Sequence, residues 1–138
     1  MTDRTADEPL ERTIDTIPAL VNADARLVHR GRFVDTTFMI AIDDDYTLVR
    51  VEGGRVADVK HGPFITPNYS FALRAPRAVW DQFWQPLPPR GYTEIFALVK
   101  QKLMKVEGDL HPFMANLLYF KDVIAAPRQE NASKDVAR

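Results

Sequence analysis

Between Phe33 and Ala75 the apolar residues recur at every second position, and from Val79 onward the spacing changes to the three-and-four rhythm of helices. A chain with that switch must build a sheet first and then lay helices on it. Val34, Thr36, Phe38, Ile40 and Ile42 share one face of a first strand, with Asp35, Thr37 and Ala41 on the other. Asp43, Asp44 and Asp45 make the turn, residues 46–52 form the next strand, and Gly53-Gly54 is a two-residue hairpin signal before residues 55–60 return. The product is an antiparallel meander. A loop marked by Gly62, Pro63, Pro67 and Asn68 leads to the alternating set Tyr69, Phe71, Leu73 and Ala75, a fourth strand.

The helices read from their stripes. Thr16 caps a first helix with Pro18 in its first turn, Leu20, Val21, Leu27 and Val28 on its buried side, and Gly31 at its end; Asn22 and Asp24 fit a break in the middle equally well. Val79, Trp80, Phe83 and Trp84 form the next stripe, and Tyr92, Ile95, Phe96, Val99 and Leu103 repeat it. Residues 104–107 alternate as a short strand, Gly108 turns the chain, and Asp109 caps a final helix with Leu110, Phe113, Met114, Leu117, Leu118 and Ile124 on one face. The expected fold is α+β, an antiparallel five-stranded sheet covered by four to five helices. Residues 13–127 make one domain, between disordered tails at 1–12 and 128–138.

Several function classes drop out. A formal net charge of −1, with basic and acidic residues interspersed, gives no footprint for nucleic acid. No apolar run approaches the ~18 residues needed to span a bilayer, and the N-terminus lacks the apolar stretch of a signal peptide, so a cytoplasmic protein is expected. The chain has no cysteine, which removes disulfides and thiolate chemistry. His29, His61 and His111 share no ligand spacing, and the three consecutive aspartates lack the alternate spacing of a calcium loop. Gly53-Gly54 precedes no phosphate-binding helix, and Ser70 and Ser133 lack a nucleophile motif. Glu94, Glu107 and Asp109 are carboxylates too ordinary in pattern to assign. No metal, cofactor or catalytic residue is predicted.

What remains is a surplus of large apolar side chains in the last third. Aromatic stripes at helical spacing are ordinarily core, but the final helix is apolar beyond one stripe, since Tyr119, Phe120 and Val123 extend past its main face. Methionines beside aromatics also make adaptable linings.

The order of elements, together with residues 101–109, resembles the sterol carrier protein 2 domain from about residue 20 to residue 127. In that family a short fifth strand carries a Lys-Leu pair, an apolar residue and Gly-Asp; Lys102, Leu103, Val106, Gly108 and Asp109 stand at those places, and Gln101 replaces a family glycine. The resemblance implies an apolar tunnel between sheet and later helices, holding a sterol-like or fatty-acyl lipid without catalysis. Its lining would be Trp80, Phe83, Trp84, Phe96, Met104, Val106, Phe113, Met114 and Leu117. Arg74, Arg77 or Arg90 at a tunnel mouth would suit a carboxylate or phosphate. An accessory module that presents a lipophilic intermediate to a partner enzyme, or a homodimer through the last helix, is the other expectation. The chain ends Asp-Val-Ala-Arg138, without the peroxisomal tripeptide.

Overall fold

A computed structural model describes residues 10–129. Strands β1 (Asp35–Ile42), β2 (Asp45–Glu52), β3 (Arg55–His61), β4 (Phe71–Ala75) and β5 (Lys105–Gly108) form one sheet in the order β3-β2-β1-β4-β5. The two hairpins turn where the sequence places them. Asp43 and Asp44 bridge the Ile42–Asp45 pair, and Gly53 and Gly54, both at positive φ, bridge Glu52 and Arg55.

The sheet is mixed, which corrects the antiparallel expectation: β1 and β4 run parallel, Phe38 opposite Phe71 and Ile42 opposite Ala75. Period-two alternation is the same for either direction. What sets the direction is the connection over residues 62–70, whose nine links can reach about 30 Å, enough to run back along the sheet and start β4 at the same end as β3.

Seven short helices stand among the described residues in place of four or five: α1 (Leu10–Ile14), α2 (Ile17–Asn22), α3 (Ala25–Arg30), α4 (Arg77–Phe83), α5 (Ile95–Lys100), α6 (His111–Ala115) and α7 (Leu117–Ala125). The first predicted helix is broken. Asp24 ends one piece and begins the next, its carboxylate accepting the Leu27 N–H at 3.2 Å, while Asn22 bonds both the N–H (2.9 Å) and the carbonyl (3.1 Å) of Val56 on edge strand β3. Thr16 does not cap; its hydroxyl donates to the Thr13 carbonyl instead. The folded unit also reaches further than residues 13–127. Leu10 is buried in α1, and Arg128 donates to the carbonyls of Phe83, Tyr92 and Thr93. The tail assignments for residues 1–9 and 130–138 lie outside the described residues.

The last predicted helix is split at Asn116, whose backbone (φ −127°, ψ 39°) leaves the helical region. The N-cap of the first piece is Leu110 and not Asp109; the Asp109 carboxylate, one residue earlier, accepts the His111 N–H at 3.1 Å. The split changes which face is inside: Phe113, Tyr119, Phe120, Val123 and Ile124 are buried, whereas Leu110, Met114 and Leu118, assigned to the buried stripe, face solvent. The residues that overflowed the expected stripe are therefore the true inner face of α7.

That inner face completes an aromatic core. Phe38 and Phe71, register partners in the parallel pair, stack at 5.3 Å, and Phe120 meets both rings edge-on at 5.5 and 5.2 Å. The opposite sheet face is closed by long side chains. Arg74 lies 5.4 Å over the Tyr46 ring and donates to Glu107 at 3.2 Å; on this same face Met39, Ala41 and Ala72 are buried.

Tyr119 ties α7 to the β2–β3 hairpin by donating its hydroxyl to the Gly54 carbonyl at 2.7 Å. Burial pushes that hydroxyl up to about 12 from an ordinary 10.0. An acid whose folded value exceeds its unfolded one leaves stability intact below pH 10; above that the unfolded chain ionises first, and stability falls until the folded value is reached. The gap predicts a loss of about 2 kcal/mol between pH 9 and 11.5, read from urea melts, and Tyr119→Phe should remove this component of the slope.

Candidate functional site

The residues singled out for a lining fall into three places. Trp80, Phe83, Trp84 and Phe113 are fully buried. The indoles stack at 4.8 Å; Trp80 donates to the Ala41 carbonyl at 3.0 Å and Trp84 to that of Ile124 at 2.8 Å, so each polar edge is satisfied where it sits. These three α4 and post-α4 rings tie the sheet to α7. In this conformation they pack on each other and on their neighbours as core.

A second group reaches the surface. Phe96 on α5 is 38% exposed and its ring lies 5.9 Å from that of Phe113; Met114 is 52% exposed, and half-buried Leu117 joins it in a groove of about 360 Å³ with Leu118, Tyr119 and Arg30. Phe113 itself touches Phe71 at 5.1 Å and Phe120 at 6.0 Å. A line of rings thus runs from solvent to the sheet, through a five-residue helix ended by the kink at Asn116.

The third place was not anticipated as a unit. Met104 and Val106 lie on the helix-facing side of the β5 segment, Val106 opposite Leu73, and Met104 forms the floor of a cleft of about 580 Å³ with Ala75 and Leu103. Arg74, Lys102, Lys105, Asp43 and Asp44 rim it. Of the three candidate anchors, Arg74 is here; Arg77 pairs instead with Asp45 at 2.8 Å, and Arg90 lines neither opening.

One relay of polar groups resembles nucleophile machinery. The Thr47 hydroxyl is 2.9 Å from Nδ1 of His61, and Nε2 of His61 is 2.6 Å from Asp15. Thr47 is 1% exposed and flanked on its own sheet face by buried Val49 and Val51, so the relay joins α1–α2 to the sheet and does not face either opening. Among the described residues no three His, Asp or Glu side chains converge as metal ligands, and no helix is long and apolar enough to cross a membrane.

A five-stranded sheet with order 3-2-1-4-5, a parallel central pair, and helices closing one face over an aromatic core decide the architecture, and solved structures share it. A crystal structure of sterol carrier protein 2 superposes with a TM-score of 0.69, over 86% of this chain and 95% of that one, at 10% identity. The fold is that of sterol carrier protein 2. Palmitated SCP2L2 from Aedes aegypti shares the sterol carrier fold at TM-score 0.53 and 19% identity, over 85% of this chain and 95% of that one. The ubiquinone synthesis protein UbiJ does so at 0.52 and 13%, over 86% and 99%. No family model matches the sequence, and no curated protein does. At such identities the sterol carrier fold is shared while the side chains that face its interior are this chain's own.

Proposed function

We propose that the protein binds and carries an apolar small molecule, a sterol-like or fatty-acyl lipid, between its sheet and later helices without chemically altering it. The observation that carries this reading is the line of rings from exposed Phe96 through Phe113 to Phe71 and Phe120, in a fold that one solved neighbour presents with palmitate. Phe113 sits on a helix of five residues between Gly108 and the Asn116 kink, where it forms part of the inner wall. Moving it aside would expose an apolar interior. Each methylene then transferred from water contributes ~0.8 kcal/mol, which a long acyl chain multiplies beyond the ordering it must offset.

The only tryptophans are Trp80 and Trp84, both buried, and they make the reading measurable. Native mass spectrometry of gently purified protein should show a lipid adduct that extracts into solvent. Fatty acids brominated along the chain should quench the tryptophan emission in proportion to occupancy. A clean apo mass with no quenching across a lipid series would remove this reading.

A second reading, an accessory module that presents a lipophilic intermediate to an enzyme, is favoured by the exposed strip of Leu110, Met114 and Leu118 and by the ubiquinone synthesis protein among the neighbours. Co-purification of one stoichiometric enzyme, released by Leu118→Lys, would support it.

A further inference from the structure

The cleft at the end of the sheet has a chemistry that the line of rings lacks. Across β4 and β5, Arg74 stands opposite Lys105 on the outer sheet face, while Leu73 and Val106 stand opposite each other on the helix-facing side. Beside that pair, Ala75 after Arg74 and Met104 before Lys105 are both buried and belong to the hydrophobic core. The cleft therefore straddles the edge of the sheet: its floor is the outer skin of the apolar interior, and its rim is charged. Its volume of about 580 Å³ lies within the range of small-molecule sites. Met104, unbranched and pliable, lines the cleft and also belongs to the core.

Lys102 is held there against local preference. The N–H of Leu103 bonds the Leu98 carbonyl at 2.9 Å and that of Lys102 bonds Val99 at 3.0 Å, the closing pattern of a helix whose next residue is left-handed and usually glycine. Lys102 occupies that place at φ 63°. A lysine in the left-handed region costs more than glycine would, so the local geometry alone does not favour it. Among the described residues neither Lys102 nor Lys105 has an ion-pair partner, whereas Arg74 is engaged by Glu107 and Tyr46.

We propose that this cleft is the head-group site of the carried lipid and that it selects a single negative charge, a long-chain carboxylate, whose tail passes Met104 into the core. Lys102 and Lys105 receive the carboxylate with charge-assisted hydrogen bonds. Asp43 and Asp44, in the β1–β2 turn on the opposite wall, set the upper limit. Arg74 is already paired with Glu107, so the two lysines are what a ligand meets; one carboxylate fits on them, and a polyanionic head such as a coenzyme A thioester would meet the aspartates. This rests on the carrier reading above and adds to it the ligand's polar end.

Affinities of the full chain for palmitate, hexadecanol and palmitoyl-coenzyme A, measured by titration calorimetry, test it. Palmitate should bind at least about tenfold tighter than hexadecanol, and palmitoyl-coenzyme A more weakly than palmitate. In Lys102→Gln/Lys105→Gln the palmitate advantage should vanish while hexadecanol binding is unchanged; Lys102→Arg/Lys105→Arg should restore it. Both lysines are exposed, so the variants keep the fold, and hexadecanol binding verifies that they do. Equal palmitate and hexadecanol affinities, a palmitate preference surviving the glutamine pair, or coenzyme A thioester binding as tight as palmitate would each overturn the head-group site with lipid carriage intact. Failure of wild-type protein to bind any of the three would overturn both.

Discussion

Replacing Gly54 with alanine will destabilise the protein by more than about 3 kcal/mol and lower its melting temperature by about 10 °C or more, whereas the same change at Gly53 will cost about 1 kcal/mol. Both glycines lie at positive φ, 58° and 83°, so both alanines carry the left-handed penalty. Their surroundings differ. A Cβ at Gly53 would meet nothing nearer than the Arg32 carbonyl at 3.8 Å, but at Gly54 it would stand 2.3 Å from the Val28 carbonyl oxygen and 2.8 Å from the Gly31 carbonyl carbon. Those are backbone atoms at the end of α3 and cannot swing aside. Relief requires the hairpin to lift off α3, which also withdraws the Gly54 carbonyl from the buried Tyr119 hydroxyl. Thermal melts of the two variants check this directly; equal losses would mean that the hairpin does not rest on the end of α3.

The contrast shows what the sequence could and could not disclose here. Gly53-Gly54 is a plain turn signal, and the turn is where it should be, because two residues of positive φ in a hairpin are a local demand. That the second glycine also makes room for a helix end depends on α3 folding back over the hairpin, a relation that no local pattern records. The same divide runs through the rest of the fold. Five strands were readable because half-buried strands alternate, yet the parallel β1–β4 pair was not, because alternation carries no direction.

Helix faces failed for a related reason. A stripe of Leu110, Met114 and Leu118 is as regular as any core stripe, and only the break at Asn116 turns it outward. The candidate site follows the same stripes: Met114, read as part of a lining, stands at the surface, while Trp80 and Trp84 are held in the core by hydrogen bonds from their ring N–H groups to Ala41 and Ile124. Lys102 gave no sign of its left-handed backbone, since the usual mark of that geometry is a glycine. Arg74 is one of three arginines that the sequence offers as an anchor, but its neighbours Lys102 and Lys105 come from a segment about thirty residues later that only the β4–β5 pairing brings beside it.

The other large effect is expected at Phe113, where truncation to alanine removes a fully buried ring in contact with Phe71, Phe96 and Phe120 and should cost about 3 to 5 kcal/mol. The spread depends on how far the five-residue α6 can sink into the space, and a helix held at one end by the Asp109 carboxylate on the His111 N–H and at the other by the Asn116 side chain on the Pro112 carbonyl has little freedom to do so. The residual void will be apolar, and such a void stays dry and accepts a small apolar guest. If the carried lipid lies where Phe113 now packs, wild-type protein must move that ring to admit it and the variant need not. Palmitate should then raise the melting temperature of Phe113→Ala more than that of wild type, with a guest at a hundred times its dissociation constant restoring ~2.7 kcal/mol. Equal rises in both proteins would put the chain of the lipid elsewhere, beyond Met104 but away from α6. No rise in either would return Phe113 and its neighbours to the role of core alone.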